Sequence, residues 1–319
     1  MSMRTARGAT DGIDAPAMHD NEQPTDAELV HRLLETQFPE WAALPVERVR
    51  SAGTDNAIYR LGDDLVARLP RIDWAVGQAE KESAWLPRLA PHLPLAIPTV
   101  LALGEPGEGY PWRWSVHRWL QGETATPDRI ADERDAATAL GSFVAALQAV
   151  DTTGAPGPSA RNFGRGAPLR TRERETRTAI AQLDGMVDTV RVSAAWEAAL
   201  AEPEWPGAPV WIHGDLQSGN LLARDGRLSA VIDFGCLGAG DPATDVMAAW
   251  LYLSAGARDA FREALPVDDA TWARGRGWAL SVSLVALPYY TTTNPVLAGI
   301  ARRAIDEVLA DQSGSQPSR

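Results

Sequence analysis

Two acids and one amide follow two short apolar runs in the second half of the chain. Asp215 and Asn220 come after the run Val210 to His213, and Asp233 comes after the run Leu228 to Ile232. Apolar runs of this length predict buried strands, so the three polar side chains emerge from loops at strand ends. Carboxylate and amide oxygens are ligands that Mg²⁺ prefers. The spacing therefore predicts an oxygen-rich cluster suited to a divalent cation.

The order of these residues resembles the catalytic centre of kinases. Asp215 and Asn220 have the spacing of the kinase catalytic loop, and Asp233-Phe234-Gly235 follows at close range. With His-Gly-Asp in front, the segment closely resembles the aminoglycoside phosphotransferase family of small-molecule kinases. The resemblance implies an α+β, two-lobed, protein-kinase-like fold with a small β-rich N-lobe and a larger helical C-lobe.

The resemblance also implies a role for each residue of the motif. Asp215 would be the catalytic base that orients and deprotonates the substrate hydroxyl. Asn220 and Asp233 would hold Mg²⁺ against the phosphates of ATP, with GTP as the alternative nucleotide. His213 would brace the loop by hydrogen bonding rather than transfer protons.

Two further acids, Asp241 and Asp245, match the acidic stretch that follows the metal-binding aspartate in this family. Asp241 precedes Pro242 and is also placed to cap a helix. Asp245 is placed to tether the catalytic loop. We expect supporting roles for both.

The resemblance places a nucleotide site in the first half of the chain. At the start of this half, a turn is flanked by two β-like runs, Glu47 to Ala52 and Ala57 to Leu61. In that turn, Gly53, Thr54 and Asn56 are expected to cover the phosphates.

The cation expected on the following strand is an arginine here. The chain has one lysine, Lys81, which falls on a predicted helix, whereas Arg68 lies within the strand run Leu65 to Leu69. We therefore assign the phosphate-contacting role to Arg68, with Arg71 as the alternative. Arginine supplies a planar fork where lysine supplies a point charge, so the change bears on nucleotide geometry.

An acidic partner for this cation is expected on the helix predicted from Trp74 to Ala90. Glu82 shares a helix face with Leu86 and Leu89 and is the first choice, with Glu80 as the alternative. The strand Arg113 to Trp119 resembles the one that enters the interlobe hinge. Backbone groups near His117 and Trp119 are expected to meet adenine, with the His117 side chain incidental.

The elements around these motifs divide the chain into three parts. Residues 1–24 are predicted to be a disordered lead-in, 25–120 the nucleotide-binding N-lobe, and 121–319 the C-lobe with the catalytic loop, the metal site and the substrate-binding helices. A helix is predicted from Thr25 as its cap, with Leu29, Val30, Leu33 and Leu34 on one face. Further helices are predicted over Ile130 to Val150 and Arg170 to Val190 and beyond Pro242.

Composition excludes several classes of protein. The net charge is −12, from 42 acidic and 30 basic residues, which argues against a nucleic-acid partner. The single cysteine, Cys236, permits no internal disulfide and is expected to be a packing residue. No membrane span or signal peptide is evident, so we expect a cytoplasmic protein, monomeric or homodimeric. The six arginines between Arg161 and Arg177 alternate with acids and predict a solvated helix.

These inferences lead to an ATP-dependent kinase for a hydroxyl of a small molecule, with an aminoglycoside-type antibiotic as the first choice. A cationic substrate would need a carboxylate-lined pocket, for which the candidates are Asp241, Asp259, Glu263, Asp268 and Asp269. The alternatives are a macrolide, choline-like or sugar substrate, or a nucleotide-binding pseudokinase module. A metal-dependent phosphoesterase is disfavoured because such sites need several histidine ligands, and the five histidines are scattered.

Overall fold

The computed structural model describes residues 21–49 and 53–314. Ten α-helices lie in these ranges: α1 Ala27–Gln37, α2 Gln78–Leu89, α3 Glu133–Gln148, α4 Glu173–Gln182, α5 Thr189–Leu200, α6 Ala243–Val246, α7 Ala248–Leu251, α8 Arg258–Ala264, α9 Asp269–Tyr290 and α10 Pro295–Gly314. Ten strands lie there too: β1 Val46–Arg48, β2 Asn56–Leu61, β3 Leu65–Pro70, β4 Val100–Gly104, β5 Trp114–Arg118, β6 Glu123–Thr124, β7 Val210–Ile212, β8 Leu221–Arg224, β9 Arg227–Val231 and β10 Gly238–Gly240. Among the described residues, no helix is long and apolar enough to cross a membrane.

The first half is built on an antiparallel five-stranded sheet in the order β1-β2-β3-β5-β4. Burial alternates along β2, where Ala57, Tyr59 and Leu61 are buried, as the period of a strand requires. The register of β3 against β5 sets Arg68 opposite Ser115. The sheet thereby brings a charged side chain of β3 beside polar side chains of β5.

The buried apolar residues form two separate cores. The smaller one joins α1 to the sheet and includes Leu33, Tyr59 and Trp114. The larger one holds the helices of the second half, and Leu86 and Leu89 of α2 belong to it. Helix α2 therefore connects the sheet to the helical part of the molecule. The lobe boundary at residue 121 stays a prediction.

The motif loops sit between short strands of the second half. Strand β7 pairs with β10, and β8 and β9 form a hairpin that also pairs with β6. The hairpin turns at Asp225 and Gly226, both with positive φ, as a two-residue hairpin turn requires. The catalytic loop joins β7 to β8, and Asp233 follows β9. Strands β8 and β10, of four and three residues, were not predicted from the sequence.

The start of α1 and the segment after residue 170 differ from expectation. Asp26, not Thr25, caps α1, with Oδ1 accepting a hydrogen bond from the N–H of Leu29 at 2.7 Å. The predicted apolar face is buried as expected. A single helix over Arg170 to Val190 is wrong, because α4 and α5 are separate and Asp188 caps the second. Most of the predicted lead-in, residues 1–20, and the end of the first β-like run, residues 50–52, lie outside the described residues.

Candidate active site

His213 holds the catalytic loop against the strand that carries Asp233. Its Nε2 lies 3.0 Å from the carbonyl oxygen of Ile232, and its Nδ1 accepts a hydrogen bond from the N–H of Asp215 at 3.2 Å. Burial lowers the pKa of His213 to about 4, so the imidazole is neutral at physiological pH. The neutral ring with its proton on Nε2 satisfies both contacts. The geometry agrees with a bracing role.

Asp245 on α6 anchors the same loop from the other side. Its two carboxylate oxygens accept hydrogen bonds from the N–H groups of His213 and Gly214, each at 2.7 Å. The residue is fully buried, and burial raises its pKa to about 6. Two charge-assisted bonds from backbone donors fix the loop where it leaves β7.

Asp215 and Asn220 meet across the loop. The amide Nδ2 of Asn220 donates to the Oδ2 of Asp215 at 2.7 Å and to its backbone carbonyl at 2.8 Å. The Asp215 side chain keeps some exposure, and its partial burial raises its pKa to about 6. A carboxylate of this pKa is deprotonated at pH 7 yet basic enough to take a proton, which suits a general base.

Arg68 lies at the centre of a second group of charges. Its Nη1 contacts both carboxylate oxygens of Glu82, at 3.0 and 2.8 Å, and its Nη2 lies 3.3 Å from the Oδ1 of Asp233. Burial opposes the charge, but the carboxylates of Glu82 and Asp233 outweigh it and raise the pKa of Arg68. Arg68 therefore connects β3, α2 and the loop after β9 in one cluster.

The alternatives for this pair are engaged elsewhere. Arg71 is buried against Glu22, and its N–H donates to the carbonyl of Asp55. Glu80 lies 3.8 Å from the exposed guanidinium of Arg113.

Two residues of the predicted hinge strand have partners within the protein. The N–H of Trp119 donates to the carbonyl of Asp64 at 2.7 Å, and contact of the surrounding backbone groups with adenine stays a prediction. The side chain of His117 is buried 3.8 Å from a carboxylate oxygen of Glu82, with its Nε2 2.8 Å from the hydroxyl of Ser115. Burial, aided by the cation of Arg68, lowers the pKa of His117 well below its usual value.

The turn that was expected to cover the phosphates is held by side chains that the sequence did not single out. Asp55 accepts hydrogen bonds from Gln78 at 2.8 Å and from the indole of Trp74 at 3.1 Å, and Gln78 in turn accepts one from Asn56 at 3.0 Å. The hydroxyl of Thr54 donates to the Oδ1 of Asp55 at 3.2 Å and lies near the hydroxyl of Tyr290, at the end of α9. Gly53 is exposed at the edge of the turn.

The family model for the phosphotransferase enzyme family (APH) matches residues 46–278, which include the motif residues and the Arg68–Glu82 pair. The chain belongs to the phosphotransferase enzyme family. Membership makes it a small-molecule kinase.

Solved structures show the same fold. A GDP and kanamycin complex of APH(2")-IIia has a TM-score of 0.69 at 19% identity, covering 90% of this chain and 99% of that one. The macrolide 2'-phosphotransferase MphH from Brachybacterium faecium has a TM-score of 0.57 at 23% identity, covering 93% and 100%. A streptomycin-ATP complex of APH(2")-IIa has a TM-score of 0.54 at 17% identity, covering 89% and 96%. No curated protein matches the chain in sequence.

The acids suggested for a cationic pocket do not gather in this phosphotransferase. Asp241 is sealed against Arg274, with nitrogen–oxygen distances of 3.0 and 3.2 Å, and its Oδ1 also accepts from the N–H of Ala243 at 2.9 Å. Asp268 caps α9, and Asp269 pairs with Arg262. Asp259 and Glu263 lie exposed on α8. The engagement of the other three in caps and ion pairs leaves no carboxylate pocket formed by this set.

Several basic residues of the phosphotransferase lie at the site without having been predicted there. Lys81 donates from Nζ to the carbonyls of Gly235 and Leu237, which ties α2 to the segment after Asp233. Arg165 donates from Nε to the carbonyl of Gly214 at 2.8 Å. The solvated-helix interpretation of residues 161–177 is thus wrong at Arg165, and also at the buried Arg172. The alternation of charges gave no signal, because these contacts join distant parts of the chain.

Cys236 lies beside these groups and is partly buried. Burial raises the pKa of its thiol to about 12, so it stays protonated. The thiol therefore adds no charge to the site, and its role as a packing residue stays a prediction.

The donor set next to Asp233 suits a hard divalent cation. The N–H of Ile232 donates to the carbonyl of Asn220 at 2.9 Å, which places Asn220 beside the residue preceding Asp233. Because the Nδ2 of Asn220 donates to Asp215, its Oδ1 remains as the oxygen that could bind a cation. The side chain of Asp233 is 33% exposed. No group of three or more His, Cys, Asp or Glu side chains forms a metal cluster among the described residues. Mg²⁺ commonly uses one or two carboxylates together with nucleotide phosphates, so the site fits it.

Proposed function

We propose that the protein transfers the γ-phosphoryl group of ATP to a hydroxyl of a small molecule, with GTP as the alternative nucleotide. The observation that carries the proposal is the convergence of two groups of side chains. The Asp215–Asn220 pair comes from the catalytic loop, and Arg68 joins Glu82 to Asp233. The two groups are linked by the hydrogen bond from the N–H of Ile232, next to Asp233, to the carbonyl of Asn220. A base, a cation and a metal-binding carboxylate are the parts that phosphoryl transfer requires.

In this proposal Asp215 positions the acceptor hydroxyl and receives its proton. The acceptor oxygen forms a bond to the γ-phosphorus while the bond between that phosphorus and the bridging oxygen of ADP breaks. Asn220 orients the Asp215 carboxylate through the 2.7 Å hydrogen bond. Glu82 holds the guanidinium of Arg68 toward the phosphates.

Asn220 and Asp233 would hold Mg²⁺, which when bound neutralises charge on the nucleotide phosphates. The chemistry of their oxygens and the exposure of Asp233 support this assignment. Replacing Asp233→Asn should raise the Mg²⁺ concentration needed for half-maximal activity, by about tenfold or more, because a charged ligand becomes neutral. A magnesium titration measures this change, and an unaltered requirement would remove Asp233 from the metal site.

The substrate class we propose is an aminoglycoside-type antibiotic. Support comes from family membership and from the likeness of the fold to phosphotransferases solved in complex with kanamycin and with streptomycin. The likeness to a macrolide 2'-phosphotransferase favours a macrolide as the second candidate. A cytoplasmic location and a monomeric or homodimeric state stay predictions from the sequence.

A mass-shift screen tests the proposal directly. Purified protein is incubated with ATP or GTP and Mg²⁺ against aminoglycosides, macrolides, choline-like alcohols and sugars, and each product is examined for an added phosphoryl group. An aminoglycoside product supports the proposed class, and a macrolide product replaces it with the second candidate. Nucleotide binding without transfer to any member of the panel would favour the pseudokinase alternative.

A further inference from the structure

We propose that Arg165 is a catalytic residue of this phosphotransferase, which contacts the phosphoryl group during its transfer through the terminal nitrogens of its guanidinium. The inference rests on the proposed function. It adds a residue from outside the motifs, in the segment between α3 and α4.

The position of Arg165 is set by contacts on both sides of its backbone. Its N–H donates to the carbonyl of Asn162 at 3.0 Å, and its own carbonyl accepts from the side chain of Asn162 at 3.3 Å. The next residue, Gly166, donates to the hydroxyl of Thr244 at 3.1 Å and accepts from the N–H of Asp241 at 2.8 Å. The segment is therefore fastened to the loop and helix that follow Asp233.

The backbone just before Arg165 is held in an unfavourable conformation. Phe163 has a φ of +54°, a left-handed value that is rare for a bulky side chain. Arg172 donates to the carbonyl of Phe163 at 3.5 Å and helps hold it there. Strain of this kind persists where the surrounding structure imposes it, and it is frequent at active sites.

The side chain of Arg165 reaches the catalytic loop. Its Nε donates to the carbonyl of Gly214, directly before Asp215, at 2.8 Å. A Cβ at position 214 would lie 3.2 Å from the Cβ of Arg165 and 2.9 Å from that of Cys236. Gly214, whose φ is +85°, thus permits the close approach. The charge of Arg165 also acts on the carboxylate of Asp215 and partly offsets the effect of its burial.

The terminal nitrogens of Arg165 are left available. They make no hydrogen bond to any residue in the described part of the chain, and the guanidinium lies 5.7 Å from the ring of Trp278. The two cations that act on Asp233 are engaged, Arg68 with two carboxylates and Lys81 with two carbonyls. The loop from His213 to Asn220 contains no lysine or arginine.

A cation in this position meets a need of the reaction. Charge spreads over the oxygens of the transferred group, and an arginine supplied from within the same chain can stabilise it. Arg172 lies over the same Trp278 ring, at 5.8 Å, and adds to the positive charge on this side of the catalytic loop. The hydrogen bond to Gly214 and the nearby ring of Trp278 preorganise Arg165, so little reorganisation is needed at the moment of transfer.

The first test compares binding of two ligands, MgADP and MgADP with aluminium fluoride, which mimics the transferred phosphoryl group. In the Arg165→Ala variant the affinity for MgADP should stay within about twofold of wild type, while the gain from fluoride should fall by about 10²-fold, the size of one lost transition-state donor. Arg170→Ala is the matched control, because Arg170 is exposed in the same segment and pairs with Glu204. Isothermal titration calorimetry measures both affinities for each protein.

The outcomes separate this proposal from the proposed function. Wild-type protein that binds no MgADP would overturn both. Wild-type and Arg165→Ala proteins with the same fluoride gain would overturn the role of Arg165 alone. Millimolar guanidinium should restore part of the gain in Arg165→Ala but leave Arg170→Ala unchanged, and a loss of MgADP affinity without rescue would show a merely structural residue.

Discussion

Two groups of charged and polar residues, each with members that belong to or contact the loop between β7 and β8, differ in their access to solvent. The cleft cluster consists of Arg68, Glu82, Asp215, Asn220 and Asp233, and three of its members are partly exposed. The sealed cluster consists of Asp241, Asp245 and Arg274, and each of its members is at most 5% exposed. Burial raises the pKa of Asp215 and of Asp245 to about 6 alike. A perturbed pKa therefore does not by itself separate the proposed base, Asp215, from a structural carboxylate, and the two differ in their exposure.

The sealed cluster also directs its hydrogen bonds to neighbouring protein groups. Arg274 donates from Nε and Nη2 to Asp241, from Nη1 to the carbonyl of Pro203 and from Nη2 to Thr271. In the cleft cluster, Arg68 divides its donors between Glu82 and Asp233, and the latter contact is longer, at 3.3 Å. The difference predicts that substitutions in the cleft cluster mainly change activity, whereas those in the sealed cluster mainly change stability.

The largest effect is expected for Asp215→Ala. Losing the base should lower kcat by about 10³-fold, within the range for general-base catalysis. Since the side chain is partly exposed, the melting temperature and the affinity for ADP should stay near the wild-type values. Steady-state kinetics with the acceptor found in the screen measures the loss, and Asp259→Ala on α8 serves as the exposed control. Retained turnover would remove Asp215 as the base.

Asp241→Ala tests the sealed cluster. It leaves the guanidinium of Arg274, which is 3% exposed, without its carboxylate. Breaking a buried pair from one side should lower the free energy of unfolding by about 3 kcal/mol. Urea denaturation measures this change, with Asp269→Ala as the control because that carboxylate is 98% exposed and should contribute little. Equal stability of the two variants would contradict the comparison.

Arg68→Ala tests the cation of the cleft cluster. Removing the guanidinium takes away the proposed contact to the nucleotide phosphates and leaves Glu82 buried without its cation. The Kd for ATP should rise by about tenfold, which corresponds to one charge-assisted hydrogen bond. Arg68→Lys should recover part of this loss, and Arg113→Ala, which removes an exposed arginine nearby, should have no effect. Unchanged binding in Arg68→Ala would exclude its phosphate contact.

The smallest effect is a dependence on pH. The active form of Asp215 is the carboxylate, whose pKa of about 6 lies above the usual value. Activity is therefore nearly full above pH 7, and kcat/KM should fall as the pH drops through about 6, by about tenfold for each further unit. A pH profile of kcat/KM between 5 and 8 measures this. A midpoint near 4 would show that Asp215 titrates as an ordinary carboxyl.

Much of the candidate site could be predicted from short stretches of the sequence. Asp215, Asn220 and Asp233 could be recognised because their spacing along two loops is itself the signal. Arg68 and Glu82 could be paired because the family resemblance implies an acid on the helix after the strand, and the helix period favours Glu82. The partner of the Trp119 N–H, the carbonyl of Asp64, could not be found in this way, because strand alignment is not readable from the residue type.

Errors arose where distant segments meet. The predicted helix over Arg170 to Val190 failed because Asp188 begins a new helix. The predicted solvated helix of residues 161–177 failed at Arg172, which is buried and hydrogen-bonded to Ser281 on α9. Alternating charges indicate a solvated face only if no other element covers it. The sequence pattern does not show which other elements pack over the helix.

The sequence by itself determined the order and spacing of the reacting groups, and with them the family and the type of reaction. Short-range spacing is preserved when the chain folds, so the catalytic loop and the turn at Asp233 can be recognised from the residues alone. The tertiary structure alone decided that Asp241 is sealed by Arg274, that Tyr290 meets Thr54, and that Arg165 reaches Gly214. Each of these contacts joins residues more than 30 positions apart. Their proximity depends on the path of the whole chain and on which side chains the packing leaves exposed.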